Sequence, residues 1–322
     1  MRRPLRLARQ RGVAVITALL LTTLTVTIVA SLFWQQQVQV RSMENQRLHQ
    51  QTKWILLGAI DLARFWLRQD NPSQTRLDGT WTTPVAETNL DQFVERERVE
   101  GESYAATLSG RATDAQARYN LANLAKNRVP DPVQVQVFGR LLANVQLDPA
   151  LAQTAAAAVA ATQKAAATAD GDGGGKVAAG VPADGREPMD FLRVEDLLGV
   201  AGFTPAALER LRDFVIVLPK PSAINVNTAP AEVLAAAVVF SVSEAGALVS
   251  NRQRKPFNGM GDFMALIQGK TLLVPNEGVD IKSSYFLVDS QVRLDRAALD
   301  TQALIQRDSM TRTTTLVWVR EN

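Results

Sequence analysis

The sequence has no cysteine and only one histidine, His49. Without cysteine the chain has no disulfide, thiol nucleophile, iron–sulfur cluster or cysteine-ligated zinc. A single histidine excludes a histidine-rich zinc site, and histidine acid–base catalysis would depend on one residue in a polar stretch typical of a solvated surface. The charges are also nearly balanced: 35 Lys and Arg oppose 32 Asp and Glu, which leaves a net charge of +3. No overall electrostatic field therefore favours binding to nucleic acid.

What the sequence does have is length and apolar content. At 322 residues it is too long for one average domain, and 46% hydrophobic residues exclude a wholly disordered chain. Two compact units with extensions are therefore expected. The sequence shows no Gly-x-Ser-x-Gly elbow, no metal-ligand cluster and no base near a nucleophile, so a membrane-anchored hydrolase lacks support and we expect no enzyme activity.

An arginine-rich leader precedes a long uncharged run. Residues 2–11 contain five arginines and no acid, and no charge occurs from Val13 to Trp34. At about 1.5 Å per residue this run reaches about 33 Å, enough to cross a membrane, and the arginines place the N-terminus in the cytoplasm. A cleaved secretory signal is the alternative, but the run is longer than a usual signal core and no Ala-x-Ala site follows it. The helical pattern continues to about Gln69, where an Asn-Pro pair follows.

The boundary between leader and apolar run resembles a known processing signal. Arg11-Gly12 followed by Val13 and further apolar residues resembles the type III signal of type IV pilins and type II secretion pseudopilins. The resemblance implies that a prepilin peptidase cuts between Gly12 and Val13 and methylates the Val13 amine. Most members have Glu at the fifth mature position, which here is Thr17. The subclass that lacks this Glu is the minor pseudopilin K family of the type II secretion system.

Three internal segments extend the resemblance to the K pseudopilin family. Asp114–Leu124 is similar to its D-x-x-G-R-F-N-L-N-x-L stretch, Ile224–Pro230 is the most specific internal match, and Ser284–Phe286 is the third. The family's D-W-x-D and G-A-E-D motifs, which are linked to calcium, are absent. Asp170 and Asp172 lie in a Gly-rich stretch that is interpreted as a linker rather than an EF-hand loop. We therefore expect no metal or other cofactor.

Local patterns predict several elements of the soluble part. Tyr104–Leu108 is interpreted as a strand that ends at the following Ser-Gly pair. Val133–Phe138 alternates like a strand, but the Asp-Pro pair before it favours a helix. The hydroxyl of Thr228 is expected to cap the helix that follows it. After Pro275 the pattern predicts an antiparallel meander with one polar face.

These patterns and the resemblance together lead us to expect an α+β fold. A pilin-like long N-terminal helix would pack on a small antiparallel sheet, with a large all-helical domain inserted between strands. The expected segments are the leader 1–12, the long helix 13–70 with a membrane span at 13–34, the first part of the α/β domain 71–129, the inserted helical domain 130–275 and the C-terminal strands 276–322.

The resemblance implies a structural function: a minor pseudopilin at the pseudopilus tip, needed for export of folded proteins across the outer membrane. The implied partners are I- and J-type minor pseudopilins, the prepilin peptidase and the inner-membrane secretion platform. We expect the tip partners to dock on the long helix through Ile55, Leu62 and Trp66. The chain would cross the inner membrane once, with its N-terminus cytoplasmic and its soluble domain periplasmic.

A membrane-anchored DNA-binding protein is the alternative. The Ile224–Pro230 segment also resembles helix-hairpin-helix proteins of competence systems. Those motifs hold a phosphate on the backbone of a Gly-x-Gly turn. No such turn lies between Leu234 and Leu248, and the small basic cluster at 252–255 is interpreted as a solvated face. We therefore expect no nucleic-acid partner.

Overall fold

The computed structural model describes residues 13–90, 106–163, 189–274, 278–294 and 297–321. The helices are α1 Val13–Gln69, α2 Pro132–Asn144, α3 Leu151–Thr162, α4 Pro205–Leu211, α5 Ala231–Ala237, α6 Val242–Arg254 and α7 Met260–Leu266. The strands are β1 Val85–Asn89, β2 Ala106–Asp114, β3 Tyr119–Asn120, β4 Ala125–Lys126, β5 Val129–Pro130, β6 Val215–Ile216, β7 Ile224–Asn225, β8 Val279–Asp280, β9 Tyr285–Leu294, β10 Ala297–Arg307 and β11 Thr314–Glu321.

The long helix α1 has two different environments. Its first half has exposed side chains, whereas its second half packs on the sheet through Leu56, Ile60, Ala63 and Leu67. These residues share one face because they recur at i, i+4, i+7 and i+11. They bury against the inner residues of the sheet, including Phe286, whose ring meets Trp81 edge-on at 5.3 Å between centroids.

The main sheet is antiparallel in the order β1-β2-β9-β10-β11. Strands β2 and β9 pair directly although helices α2–α7 lie between them in sequence. The helical domain is therefore an insertion between adjacent strands, and the α+β fold with its long N-terminal helix is confirmed.

Strand β2 does not end at the Ser-Gly pair, contrary to the sequence prediction. It continues to Asp114, and Gly110 pairs with Ser290 of β9. A Cβ at position 110 would lie 2.8 Å from the carbonyl oxygen of Asp289. The glycine thus permits close approach of two strand backbones rather than a turn. The predicted start at Tyr104 lies outside the described residues.

The helical domain has its own core. The helix predicted after Asp131 is confirmed as α2, whose first turn donates two backbone N–H groups to the Asp131 carboxylate, at 2.9 Å from Val133 and 3.2 Å from Gln134. The buried face of α2, including Phe138 and Leu142, packs on the alanine-rich helix α3. Because alanine is small, the two helices can approach each other closely.

The C-terminal meander has two apolar faces along part of its length, so the prediction of one polar face was wrong there. Phe286 and Val288 of β9 face α1, while Tyr285 and Leu287 on the opposite face pack against Ile216 of the inserted domain. Only the far ends of the strands keep a polar outer face. The alternation pattern could not show that a second domain covers the outer face.

Candidate membrane anchor and assembly surface

The N-terminal half of α1 has the length and composition to cross a membrane. Among the described residues it lies in the one helix with this property, Ala14–Gln69, and the most apolar stretch of that helix has no residue buried in the fold. Its threonines do not leave hydroxyl donors unpaired. The side chains of Thr22, Thr25 and Thr27 donate to backbone carbonyls one turn earlier at 2.7–2.9 Å. Satisfied donors lower the cost of placing these residues in lipid.

The first turns of α1 carry the predicted processing residues. Val13 begins the helix, whereas Gly12 lies outside the described residues. The hydroxyl of Thr17 donates to the carbonyl oxygen of Ala14 at 3.1 Å, a bond within its own helix. The fifth position after Gly12 is therefore neutral and internally satisfied. Cleavage and methylation at this boundary stay predictions.

The predicted partner face of α1 partly serves the protein's own sheet. Ile55 is half-buried against the helix–sheet core. Leu62 and Trp66 border a narrow apolar groove of about 30 Å³ between α1 and β2. The walls of this groove come from the protein's own helix and sheet. Leu62 keeps an exposed edge, and docking through Ile55, Leu62 and Trp66 stays a prediction.

A second apolar stripe lies on the opposite side of α1, and sequence reasoning missed it. Trp54, Leu57 and Phe65 are 71%, 43% and 48% exposed, and Met43 continues the stripe toward the membrane. A two-residue offset turns a helix by about 200°, so the stripe that starts at Trp54 lies opposite the buried one that starts at Leu56. We call Met43, Trp54, Leu57 and Phe65 the outer stripe. Its length along the helix suits another long helix as a binding partner.

The end of α1 is fixed by a buried arginine from β10. Arg307 is 1% exposed, and its Nη1 donates to the carbonyl oxygen of Leu67 at 3.2 Å and to Asp70 Oδ2 at 3.1 Å. Its Nη2 donates to Thr75 Oγ1 at 2.8 Å, and its guanidinium lies 4.7 Å from the ring centre of Phe286. A cation at this end also complements the helix dipole.

Beside Arg307 a buried carboxylate collects donors from several segments. Asp114 Oδ2 accepts from Thr228 Oγ1 and Ser283 Oγ, both at 2.6 Å, and from Asn225 Nδ2 at 2.9 Å. Its Oδ1 accepts from the backbone N–H of Gln116 at 2.8 Å. Burial raises the pKa of Asp114, and these hydrogen bonds act in the opposite direction. We call Asp114, Asn225, Thr228, Ser283, Thr75 and Arg307 the junction cluster.

The junction cluster corrects the prediction for Thr228. Helix α5 has Pro230 at its N-cap and no side-chain cap, because the Thr228 hydroxyl is committed to Asp114. The cluster also brings together the three internal segments that carry the family resemblance. Asp114 belongs to the first, Asn225 and Thr228 to the second, and Ser283 directly precedes the third.

The basic cluster at 252–255 is not a uniformly solvated face. Arg252 is buried, and its Nη1 donates to the carbonyl oxygen of Val226 at 2.6 Å. Burial lowers the pKa of Arg252 to about 10. Arg254 and Lys255 are exposed. Since Arg252 supports the Ile224–Pro230 segment from inside, this surface offers few cations to a phosphate backbone.

The described residues contain no group of three or more Asp, Glu, His or Cys side chains that could hold a metal ion. Asp170 and Asp172 lie outside the described residues.

Comparison with known proteins gives consistent matches along the chain. Two family models, both described as type II secretion system (T2SS), protein K, match residues 117–220 and 224–282. The type II secretion system protein K of Pseudomonas aeruginosa is 30% identical over 297 residues, covering 88% of this chain and 85% of that protein. The protein of the same name from Pectobacterium carotovorum is 27% identical, covering 92% and 93%.

A solved structure shares the fold. In the crystal structure of the GspK-GspI-GspJ complex from the enterotoxigenic Escherichia coli type 2 secretion system, one chain matches with a TM-score of 0.63 at 18% sequence identity. The match covers 87% of this chain and 99% of that one. This chain and the solved structure therefore share their overall fold.

Proposed function

This chain belongs to the type II secretion system protein K family and is a minor pseudopilin, and we propose that it caps the pseudopilus tip. The position of the inserted domain carries the proposal. The chain enters the inserted domain at Asp114 and leaves it at Ser283. Both residues lie beside Thr75 and Arg307, which hold the C-terminal end of α1. The domain therefore sits at the pole farthest from the membrane span. There it would obstruct a subunit above but leave the space below open.

The neutral fifth position supports the same placement. In the pilins and pseudopilins that have a Glu at this position, the Glu pairs with the N-terminal amine of a neighbouring subunit inside the lipid bilayer. Thr17 carries no charge and satisfies its hydroxyl within its own helix. A subunit at the end of a filament has no neighbour on one side, so an unpaired carboxylate there would cost about 2.5–3.5 kcal/mol in the bilayer.

The tip position is tested by labelling. Assembled pseudopili carrying an exposed epitope on β11 should bind antibody at one end only, as seen by electron microscopy. Deleting the gene should stop export of folded proteins, and the parent chain should restore it. Label at regular intervals along the filament shaft would rule out the cap.

The membrane arrangement follows from the leader. We infer a single pass through the inner membrane, with the five arginines of residues 2–11 in the cytoplasm and the soluble domain in the periplasm. A prepilin peptidase would cut between Gly12 and Val13 on the cytoplasmic side. The secretion platform of the inner membrane is the expected partner during assembly.

The partners at the tip are proposed to be I- and J-type minor pseudopilins. The solved relative belongs to a complex of GspK with GspI and GspJ. We infer that such partners pack a long helix against the outer stripe, since its aromatic and aliphatic side chains are exposed and unused by the protein's own sheet. Burying large aromatic residues supplies much of the affinity of an interface.

Charges on the outer stripe should abolish partner binding. A Trp54→Glu and Phe65→Glu double variant is expected to lose co-purification with the I- and J-type subunits, because a helix–helix contact would bury both carboxylates unpaired. Membrane extraction and the circular dichroism of the full chain in detergent should be unchanged, since both side chains are exposed.

Two further variants separate the faces of α1. Gln253→Glu places the same charge at an exposed site of α6, away from the outer stripe, and should bind like the parent. Leu62→Glu tests the face predicted from the sequence. If Leu62→Glu abolishes co-purification and the stripe variant does not, partners use the Ile55, Leu62 and Trp66 face instead.

A further inference from the structure

The helical domain and the helix–sheet domain have separate apolar cores. The core of the helical domain draws on residues between Tyr119 and Ile281, whereas the core between α1 and the sheet draws on residues outside that range. A small third cluster joins them, with Ile216 and Leu218 against Tyr285, Leu287 and Leu304. Apolar contact is non-directional, so this cluster alone does not fix the angle between the domains.

The junction cluster lies where the chain passes between the domains. Asp114 is the last residue of β2 before the insertion, and Ser283 lies two residues before β9, after the insertion. Asn225 and Thr228 come from inside the helical domain. Thr75 and Arg307 come from the helix–sheet domain. Two polypeptide crossings without other constraints would act as a hinge.

The hydrogen bonds across this hinge are directional, and several of them end on the carboxylate of Asp114. Asn225 Nδ2 donates to Asp114 Oδ2, to Ser283 Oγ at 2.8 Å and to the carbonyl oxygen of Thr75 at 3.2 Å. Thr75 Oγ1 accepts from the backbone N–H of Ser283 at 3.0 Å and from Arg307. A continuous chain of bonds therefore runs from the end of α1 to the helical domain.

We propose that Asp114 is a positioning residue that locks the helical domain at one angle to the long helix. All four groups bonded to its carboxylate are donors, so two acceptor oxygens are required. Asparagine has the same shape but only one acceptor. In either amide orientation its NH₂ group faces at least one donor, and the lock is broken without a cavity.

Distance measurement between spin labels tests the lock directly. The chain has no native cysteine, so cysteines at exposed Gln253 of α6 and exposed Arg293 of β9 label the two domains uniquely. Cysteines at Ala206 and Gln253 form a second pair inside the helical domain. In the full-length parent in detergent, both pairs should show one narrow distance peak.

In Asp114→Asn the cross-domain pair should lose its single narrow peak while the pair inside the helical domain keeps it. Asp131→Asn is the matched control: it also removes a carboxylate that accepts backbone N–H groups, but asparagine still caps α2 and the site lies within one domain. Both pairs should stay narrow in this control.

Two results would overturn the proposal: a narrow cross-domain peak in Asp114→Asn, or loss of the peak inside the helical domain as well, which would indicate a general role in stability. If Asp114→Asn does not accumulate, Ser283→Ala and Thr228→Val replace it, because each removes one donor to Asp114. Narrow cross-domain peaks in both of these variants would equally refute the lock.

Discussion

Gly12→Val is expected to leave the leader attached and to exclude the protein from the pseudopilus. The resemblance to pilin-type signals implies cleavage directly after Gly12, and a β-branched side chain at this position would obstruct the peptidase. The retained leader keeps five arginines ahead of the membrane span. Moving each of them into the hydrocarbon core would cost about 2.5–3.5 kcal/mol, so the helix could not shift outward into a filament.

N-terminal sequencing and mass spectrometry of the membrane-extracted protein check this expectation. The parent should begin at Val13 with a methylated amine, and the Gly12→Val chain should keep residues 1–12. Gln10→Val is the matched control, since it adds a side chain of the same kind two residues earlier and leaves Gly12 intact. If the Gly12→Val protein is still cut to a chain that begins at Val13, the proposal of pilin-type maturation is wrong.

Arg307→Met is expected to destabilise the helix–sheet domain by about 3–5 kcal/mol, the usual cost of breaking a buried ion pair on one side. The variant removes four hydrogen bonds, made to Leu67, Asp70, Thr75 and Ser283. It also leaves the carboxylate of Asp70 without its cation. Hydrogen exchange should show the loss as faster exchange in β9 and β10, while helices α2 and α3 keep their protection because their core is separate.

Arg64→Met is the matched control for this prediction. Arg64 also joins α1 to the sheet, through the carbonyl oxygen of Thr314 at 2.8 Å, and it forms a salt bridge with Asp61 within α1, but its side chain is 31% exposed. Exposed pairs contribute about 0–1 kcal/mol. Adding Asp70→Asn to Arg307→Met should recover part of the stability, since it removes the unpaired charge. Equal losses for the two arginine variants would show that burial of Arg307 contributes nothing.

Residue order alone predicted the parts of the fold that depend on neighbours in the chain. The uncharged run from Val13 and the absence of proline between Val13 and Gln69 predict a long helix, and the structure has one. The Asp-Pro pair at 131–132 predicted α2 correctly against a misleading alternation, because capping depends only on the first turn. The same logic failed at Thr228, whose hydroxyl has a stronger acceptor in a distant segment, Asp114.

The faces of α1 could not be assigned in this way. Its second half carries apolar residues on two sides, so periodicity could not tell the stripe on the sheet, with Leu56 and Ile60, from the outer stripe, with Trp54 and Phe65. Gly110 shows the same limit of local sequence patterns. It lies inside a strand rather than in a turn, because β9, a strand far along the chain, brings the carbonyl oxygen of Asp289 close to it.

By itself the sequence determined the family and the local helices and predicted a membrane span and a processing signal, because each depends on composition or on residues a few positions apart. Only the tertiary structure decided which helix face remains exposed, where the inserted domain stands and how Asp114 and Arg307 are bonded. Those features join residues as far apart as Leu67 and Arg307. No local pattern encodes such contacts, since they form only when both cores are packed.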